Sequence, residues 1–176
     1  VFEIPVQPPS IPGMRLNAQL TRMASAKARV ILGSPLTAIH AADGCIQAVD
    51  YASAGRATRV ETRAVILAAG GFESGALELD SYGAVADTVC GLPVMGPTGQ
   101  LLHADFWGDE QPLFLAGLAV DDSMRVVDDT GTPVYTNLFA AGGNLAGATR
   151  WREKSGEGIA LASALAAVDA IVEELK

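Results

Sequence analysis

Residues 137–147, NLFAAGGNLAG, decide how this chain is read. Leu138–Ala141 is a run of four apolar residues closed by Gly142 and Gly143, which predicts a short buried strand and a sharp turn. Adjacent glycines directly after a strand let the backbone come close to something flat or charged. Gly156 and Gly158 then open a long apolar-periodic run over 156–176. A helix starting there would turn its N-terminus toward an anionic or electron-rich group. The order strand, glycines, loop, glycines, helix suits a nucleotide site, and by spacing alone it also suits an ordinary strand-to-helix turn.

A second stretch has the same form. Arg63–Ala69, RAVILAA, is apolar through its centre and runs straight into Gly70, Gly71 and Phe72. Continuous apolarity predicts a strand covered on both faces, as in a parallel sheet. Placed side by side, the two strands would present both glycine turns to one ligand at their carboxyl ends, where open α/β sheets bind ligands.

Composition narrows the classes. The 176 residues suffice for one domain or two small ones, and 49% hydrophobic against 18% charged residues requires a substantial core. A net charge of −8 argues against nucleic acid and against a polybasic membrane patch. No apolar run reaches the ~18 residues of a membrane span, and no signal peptide is visible. Cys45 and Cys90 have no ligand spacing, so buried free thiols, not a zinc or iron–sulfur site, are expected, in a reducing cytoplasm. The start, VFEIP, lacks an initiator methionine and leads into four prolines by Pro12, the expectation being a fragment or a processed piece.

Along the chain, 13–27 reads as an amphipathic helix through Leu16, Leu20 and Met23, and Arg29–Leu32 as a short strand. Leu36–Ala42 and Cys45–Ala52 flank Asp43-Gly44, a strong hairpin signal, and Arg56–Glu61 follows the Ser53–Gly55 turn as a third strand. Alternation around Ile46, Gln47 and Ala48 leaves one face of this meander wet. Glu73–Pro112 has no sustained period and is expected to be loops with one or two short helices closing over a ligand. Leu113–Val120 and Met124–Val127 read as strands. The pairs Asp121-Asp122 and Asp128-Asp129 do not fit a calcium loop and read as solvated turns, so no metal is expected. In the tail helix Leu161, Leu165, Val168, Val172 and Leu175 form the expected packing face, with Ser163, Asp169 and Glu173 on the other side and Ser163 open to exchange.

From Ala116 the segment AGLAVDDSMRVVDDTGTPVYTNLFAAGGNLAG resembles the flavin-closing segment of the fumarate-reductase-like flavoproteins, and RAVILAAGGF is similar to that family's returning strand. VFEIPVQPPSIPGMRLNAQL, GGFESGAL, GLPV, the Gln111-Pro112 pair and SGEGIALASALAAVDAI together resemble the B-subunit family of the anaerobic glycerol-3-phosphate dehydrogenases. The resemblance implies an α/β fold (α+β in the isolated piece): part of a flavin-binding Rossmann-like domain in 1–35, 62–75 and 134–176, and an antiparallel substrate or cap region in 36–61 and 76–133. It implies a flavin, FAD or FMN, against Ala69, Gly70, Gly71, Gly142, Gly143, Asn144, Gly156, Gly158 and Ile159, with a side chain at Gly158 standing where the ring lies. The implied reaction oxidises sn-glycerol 3-phosphate to dihydroxyacetone phosphate, with electrons passed toward quinone through partner subunits of a dehydrogenase complex. The implied location is cytoplasmic, with peripheral attachment at the inner face of the membrane through those partners.

Two departures stand out. No strand followed by GxGxxG is present to carry the pyrophosphate, so the isolated chain is expected to be colourless and inactive. Asn144 stands where many relatives have a Glu that holds the ribose, and an amide accepts a hydroxyl without charge assistance. Arg150, in GATRWREKSGEG, lies between the two glycine clusters and, with Arg152 and Lys154, concentrates positive charge in an acidic chain. It is the candidate for both catalysis and substrate binding, against a plain surface arginine. Arg15 is either a first-turn helix arginine or, by resemblance, a ligand of a phosphate-bearing substrate. His103 with Asp105 is either an acid/base pair or a chance pairing. His40 reads as a strand residue. The alternatives are another fumarate-reductase-like oxidoreductase acting on a dicarboxylate or ketosteroid, and a non-catalytic domain that binds a partner flavoprotein.

Overall fold

The computed structural model describes residues 10–53, 55–105 and 107–176, without the side chain of Trp151. Most of the proline-rich start and Ala54 of the predicted turn lie outside the described residues. The chain divides into two units, Val1–Pro35 and Leu36–Lys176.

The first unit is built on α1 (Ile11–Ser25). Ser10 caps it, its Oγ accepting the Gly13 N–H at 3.1 Å. Pro12 sits in the first turn, where a missing N–H costs nothing. The apolar positions Leu16, Leu20 and Met23 are exposed. Residues 29–32 do not form the predicted strand. A strand needs a neighbour to take its backbone hydrogen bonds, and none of the described residues of this unit is in a sheet.

The second unit opens with the meander β1 (Leu36–Ala42), β2 (Cys45–Ser53) and β3 (Arg56–Glu61). Asp43 and Gly44 both take positive φ, 51° and 72°, the two-residue turn whose twist matches an antiparallel pair. Ile46 and Ala48 point into the core and Gln47 points out, as the alternation requires. Asp50, half-buried two residues beyond Ala48, accepts Arg59 Nε at 2.8 Å and lies 2.7 Å from His40 Nε2. The Arg59 guanidinium, then His40, hold the Asp50 carboxyl well below the usual range.

The two apolar glycine-ended stretches do lie side by side. β4 (Val65–Leu67) and the strand over Leu138–Ala140 pair in parallel, in register Val65↔Leu138 and Leu67↔Ala140. Leu138, Phe139 and Ala140 are wholly buried, and one core joins Leu138 and Ala140 to Ile46, Leu67, Leu92, Leu118, Val126 and Leu145. That core draws on both regions that the resemblance separates. The meander is fastened to the parallel pair by Asn137. Its Oδ1 accepts the Ile46 N–H at 2.8 Å, and its Nδ2 donates to Ile46 O at 2.8 Å and Arg63 O at 2.9 Å.

Between them the chain departs from expectation. Residues 73–112 hold a hairpin, β5 (Leu77–Leu79) with β6 (Val85–Asp87), beside one short 3-10 turn at Phe72–Ser74. Asp80 Oδ1 closes the hairpin by accepting the N–H groups of Tyr82 and Ala84, both at 2.8 Å. The predicted strands at 113–120 and 124–127 appear instead as a 3-10 turn, Pro112–Leu115, and isolated bridges such as Leu118↔Leu145 and Arg125↔Phe139. Met124 at φ 66° breaks the extended run. At Gly117 a Cβ would lie 2.5 Å from Ala146 N, so backbones touch there without a ladder. The strand Leu138–Ala140 is therefore β7 in chain order.

After a one-turn helix, α2 (Arg150–Glu153), the chain ends in α3 (Gly156–Glu174). The packing face predicted for α3 is the wrong one. Leu161 is 74% exposed, and Leu165, Val168, Val172 and Leu175 are exposed with it. Ser163 and Ala167 are the buried residues. The helix meets the turn after β7 so closely that only small side chains fit between them, so close approach overrides hydrophobicity here. Farther along, Arg125 holds α3 to β7 by pairing with Glu174 and lying 5.7 Å above the Phe139 ring.

Candidate functional site

Parallel pairing brings the two glycine turns together at the carboxyl ends of β4 and β7. In the first, Gly70 takes φ 88° and Ser74 Oγ reaches back to Ala69 O at 2.7 Å and Gly71 O at 3.0 Å. In the second, Gly142 takes φ 82° and begins a 3-10 turn, Gly142–Asn144. A Cβ on Gly71 would stand 2.7 Å from Gly143 O and 2.8 Å from Arg150 Nη2. A Cβ on Gly143 would stand 2.8 Å from Arg150 Nη1 and 3.3 Å from Gly71 N. The site is thus backbone against backbone, with a guanidinium laid over both turns.

Arg150 donates to the Glu73 carboxylate at 3.1 and 3.4 Å. The Glu73 backbone N–H first, then Arg150, keep that carboxyl below its ordinary value. Glu73, Arg150, Phe114 and Ala148 line a cleft of about 260 Å³. Arg152 and Lys154 are exposed beside it, while Glu153 ties the loop by accepting the hydroxyls of Thr149 at 2.6 Å and Ser155 at 2.9 Å. The first turn of α3 abuts the site: a Cβ on Gly156 would be 4.0 Å from Arg150 Cδ, and one on Gly142 3.8 Å from Ala160 Cβ. Ile159 is half-buried there.

Asn144 is 1% exposed, and its Nδ2 donates to Leu67 O at 3.0 Å. The Nδ2 clamps the turn to β4, and the Oδ1 has no hydrogen-bond partner. His103 lies on an exposed loop with its backbone N–H on Gln111 Oε1 at 2.6 Å. The Asp105 carboxylate accepts the Trp107 N–H at 3.0 Å, closing its own turn. Arg15 is exposed on α1, in the other unit. Cys90, half-buried, has its thiol pushed up to about 11 by burial and by Asp87, so it is inert as a nucleophile. Sequence reasoning missed Ser74, Glu73, Asn137 and Ser163. Only GGFES, a serine three residues beyond paired glycines, offered a signal, that of a side chain closing its own turn.

A flat, electron-rich group fits this arrangement. The guanidinium over the two turns supplies charge, and the buried Asn144 Oδ1 leaves a polar atom unmet. Gly158 allows a direct check, because a Cβ there meets nothing within 4 Å. Gly158→Ala should keep thermal stability unchanged or raised, since alanine favours helix by ~1 kcal/mol. If the N-terminus of α3 lies against the ring, the added methyl stands where the ring lies and FAD binding should weaken about fivefold, equivalent to ~1 kcal/mol. Undiminished FAD affinity would remove Gly158 from the site.

Comparison with known proteins gives the same class. Residues 1–159 match the family model described as FAD binding domain, which decides between the two flavins in favour of FAD. A protein of Halobacterium salinarum, named as a probable B subunit of anaerobic glycerol-3-phosphate dehydrogenase, is 30% identical over 99% of the chain and 41% of its own length. The B subunit of the anaerobic glycerol-3-phosphate dehydrogenase of Glaesserella parasuis is 26% identical over 98% of the chain and 41% of its own length. The chain therefore spans well under half of these curated relatives. No solved structure matches it.

Proposed function

Because the chain belongs to the FAD binding domain family, we propose that it is part of a flavin-dependent dehydrogenase that oxidises sn-glycerol 3-phosphate to dihydroxyacetone phosphate. Electrons then pass toward quinone through partner subunits, by which the protein attaches peripherally to a membrane. Among the described residues no helix is long and apolar enough to cross one. The observation that carries the reading is the parallel pairing of β4 with β7, which sets both glycine turns under Arg150. The pair is read as two strands of a Rossmann-like sheet, and the names of the relatives supply the substrate.

When bound, FAD supplies the two-electron acceptor. The carbinol carbon gives up a hydride and its hydroxyl a proton, leaving the ketone. The part of this chain is to bind and orient. Gly71, Gly142 and Gly143 present backbone to the ring edge, and the free N–H groups at Gly156–Gly158 favour negative charge. Arg150 grips the substrate phosphate, and His103 receives the hydroxyl proton.

The test is turnover in the full-length gene product with a dye as electron acceptor. Glycerol 3-phosphate should reduce the dye, and succinate, presented as the dicarboxylate, should not. Arg150→Lys should raise KM for glycerol 3-phosphate about tenfold, because the planar fork that holds two oxygens is lost. Turnover of the dicarboxylate alone would overturn the substrate, and unchanged kinetics in Arg150→Lys would return that side chain to the surface.

A further inference from the structure

Ser163 was expected to be replaceable, yet it is 8% exposed and its hydroxyl is hydrogen-bonded in two directions. Its Oγ donates to Ile159 O at 2.6 Å, one turn back along α3. The same oxygen accepts the Gly142 N–H at 2.9 Å, across from the helix to the turn after β7. A helical serine normally turns its hydroxyl to the preceding turn and leaves its lone pairs to solvent. Here a lone pair takes the amide of a residue at φ 82°, which points away from the β4–β7 ladder. Gly143 follows at once, in contact range of both Gly71 and Arg150. One hydroxyl therefore fixes how far the glycine turn stands from the start of α3.

We infer that Ser163 is a positioning residue for the cofactor site: it sets the height of the Gly142–Gly143 turn and couples that turn to the N-terminal turn of α3. The inference rests on the flavin reading for its consequence, though not for its geometry. Without the hydroxyl, a buried N–H loses its partner and the turn must shift to find another. Gly143 and the overlying guanidinium move with it. Bulkier apolar residues at this position would fill the space and provide no acceptor.

The experiment uses the full-length gene product with Ser163→Ala, Ser163→Cys and Ser163→Thr. Cysteine keeps the volume with a weaker acceptor, so a folded variant is available if alanine proves too disruptive. FAD affinity per folded molecule, the visible spectrum of bound FAD and residue-resolved amide exchange in flavin-free protein are measured together. Expected are at least fivefold weaker FAD binding in Ser163→Ala, a smaller loss in Ser163→Cys, and recovery to within twofold in Ser163→Thr. Exchange at Gly142 should accelerate selectively over that of Leu138–Ala140. A merely structural serine would speed exchange across β7 and α3 alike while affinity and spectrum stayed at wild-type values, and that result overturns the inference. If wild-type protein takes up no FAD, the flavin reading fails by itself. The exchange arm still decides the role of Ser163: selective acceleration at Gly142 upholds it, and uniform or unchanged exchange defeats it.

Discussion

Asn137→Ala should lower the stability of the protein by about 3–5 kcal/mol, since three hydrogen bonds go, two of them buried, and each orphaned group costs ~1–3 kcal/mol. The N–H and the carbonyl of Ile46, together with Arg63 O, lose the one side chain that meets them all. Water cannot readily replace it, because Asn137 is 7% exposed and Ile46 1%. Asn137→Asp sharpens the point. A carboxylate still accepts the Ile46 N–H, but its second oxygen then faces two carbonyl oxygens where the amide had donated. That raises the folded-state pKa of the new carboxyl above its unfolded value. The folded state then holds the proton more tightly, so the stability of this variant falls as pH rises from about 4. Urea midpoints for both variants, the second at pH 5 and pH 7, provide the check. Values within ~0.5 kcal/mol of wild type, the ordinary spread of surface substitutions, would mean that the meander docks without this residue.

Gly71→Ala is the substitution expected to cost most at the site. Its Cβ would press on Gly143 O at 2.7 Å, a backbone atom that cannot swing aside. The two turns must part, at an overpacking cost of about 1–3 kcal/mol. FAD binding should fall at least tenfold, a change equivalent to ~1.4 kcal/mol. Gly143→Ala provides the contrast. Its nearest neighbours are Arg150 Nη1 and Cζ, at 2.8 and 3.0 Å, the end of a long arm that can move. Substrate KM should rise there with little loss of melting temperature. Flavin titration and thermal unfolding on both variants separate these cases. Equal, small effects in the two would mean that the turns are not held at the observed distance.

The parts that were legible in the sequence are those in which local chemistry and burial agree. Asp43-Gly44 specified a hairpin because both positive-φ positions carry residues that tolerate them. RAVILAA and NLFAA were readable as parallel neighbours because continuous apolarity followed by glycines leaves few other placements. What failed was decided by tertiary contact. The apolar face of α3 suggested its own burial, but the turn after β7 admits only Ser163 and Ala167, so the alanine-lined side faces in. Residues 113–127 have strand-like composition, yet Gly117 and Met124 divert the backbone into single bridges. Glu73 shared no motif with Arg150, since the two sit 77 positions apart and are joined only once β4 and β7 align.

That separation has a kinetic consequence. Asn144 and Leu67 are also 77 positions apart, and the two glycine turns do not meet until the chain between them has closed. Closing a long loop costs entropy before any contact rewards it, so the β4–β7 pairing belongs to the slow end of folding. The meander, with its two-residue turn, can form far earlier. A ligand seated across the two turns binds only the closed chain and stabilises it by mass action. The cofactor would therefore act as a late clasp on the fold, and its loss would loosen the ends of β4 and β7 while the hairpins stayed paired.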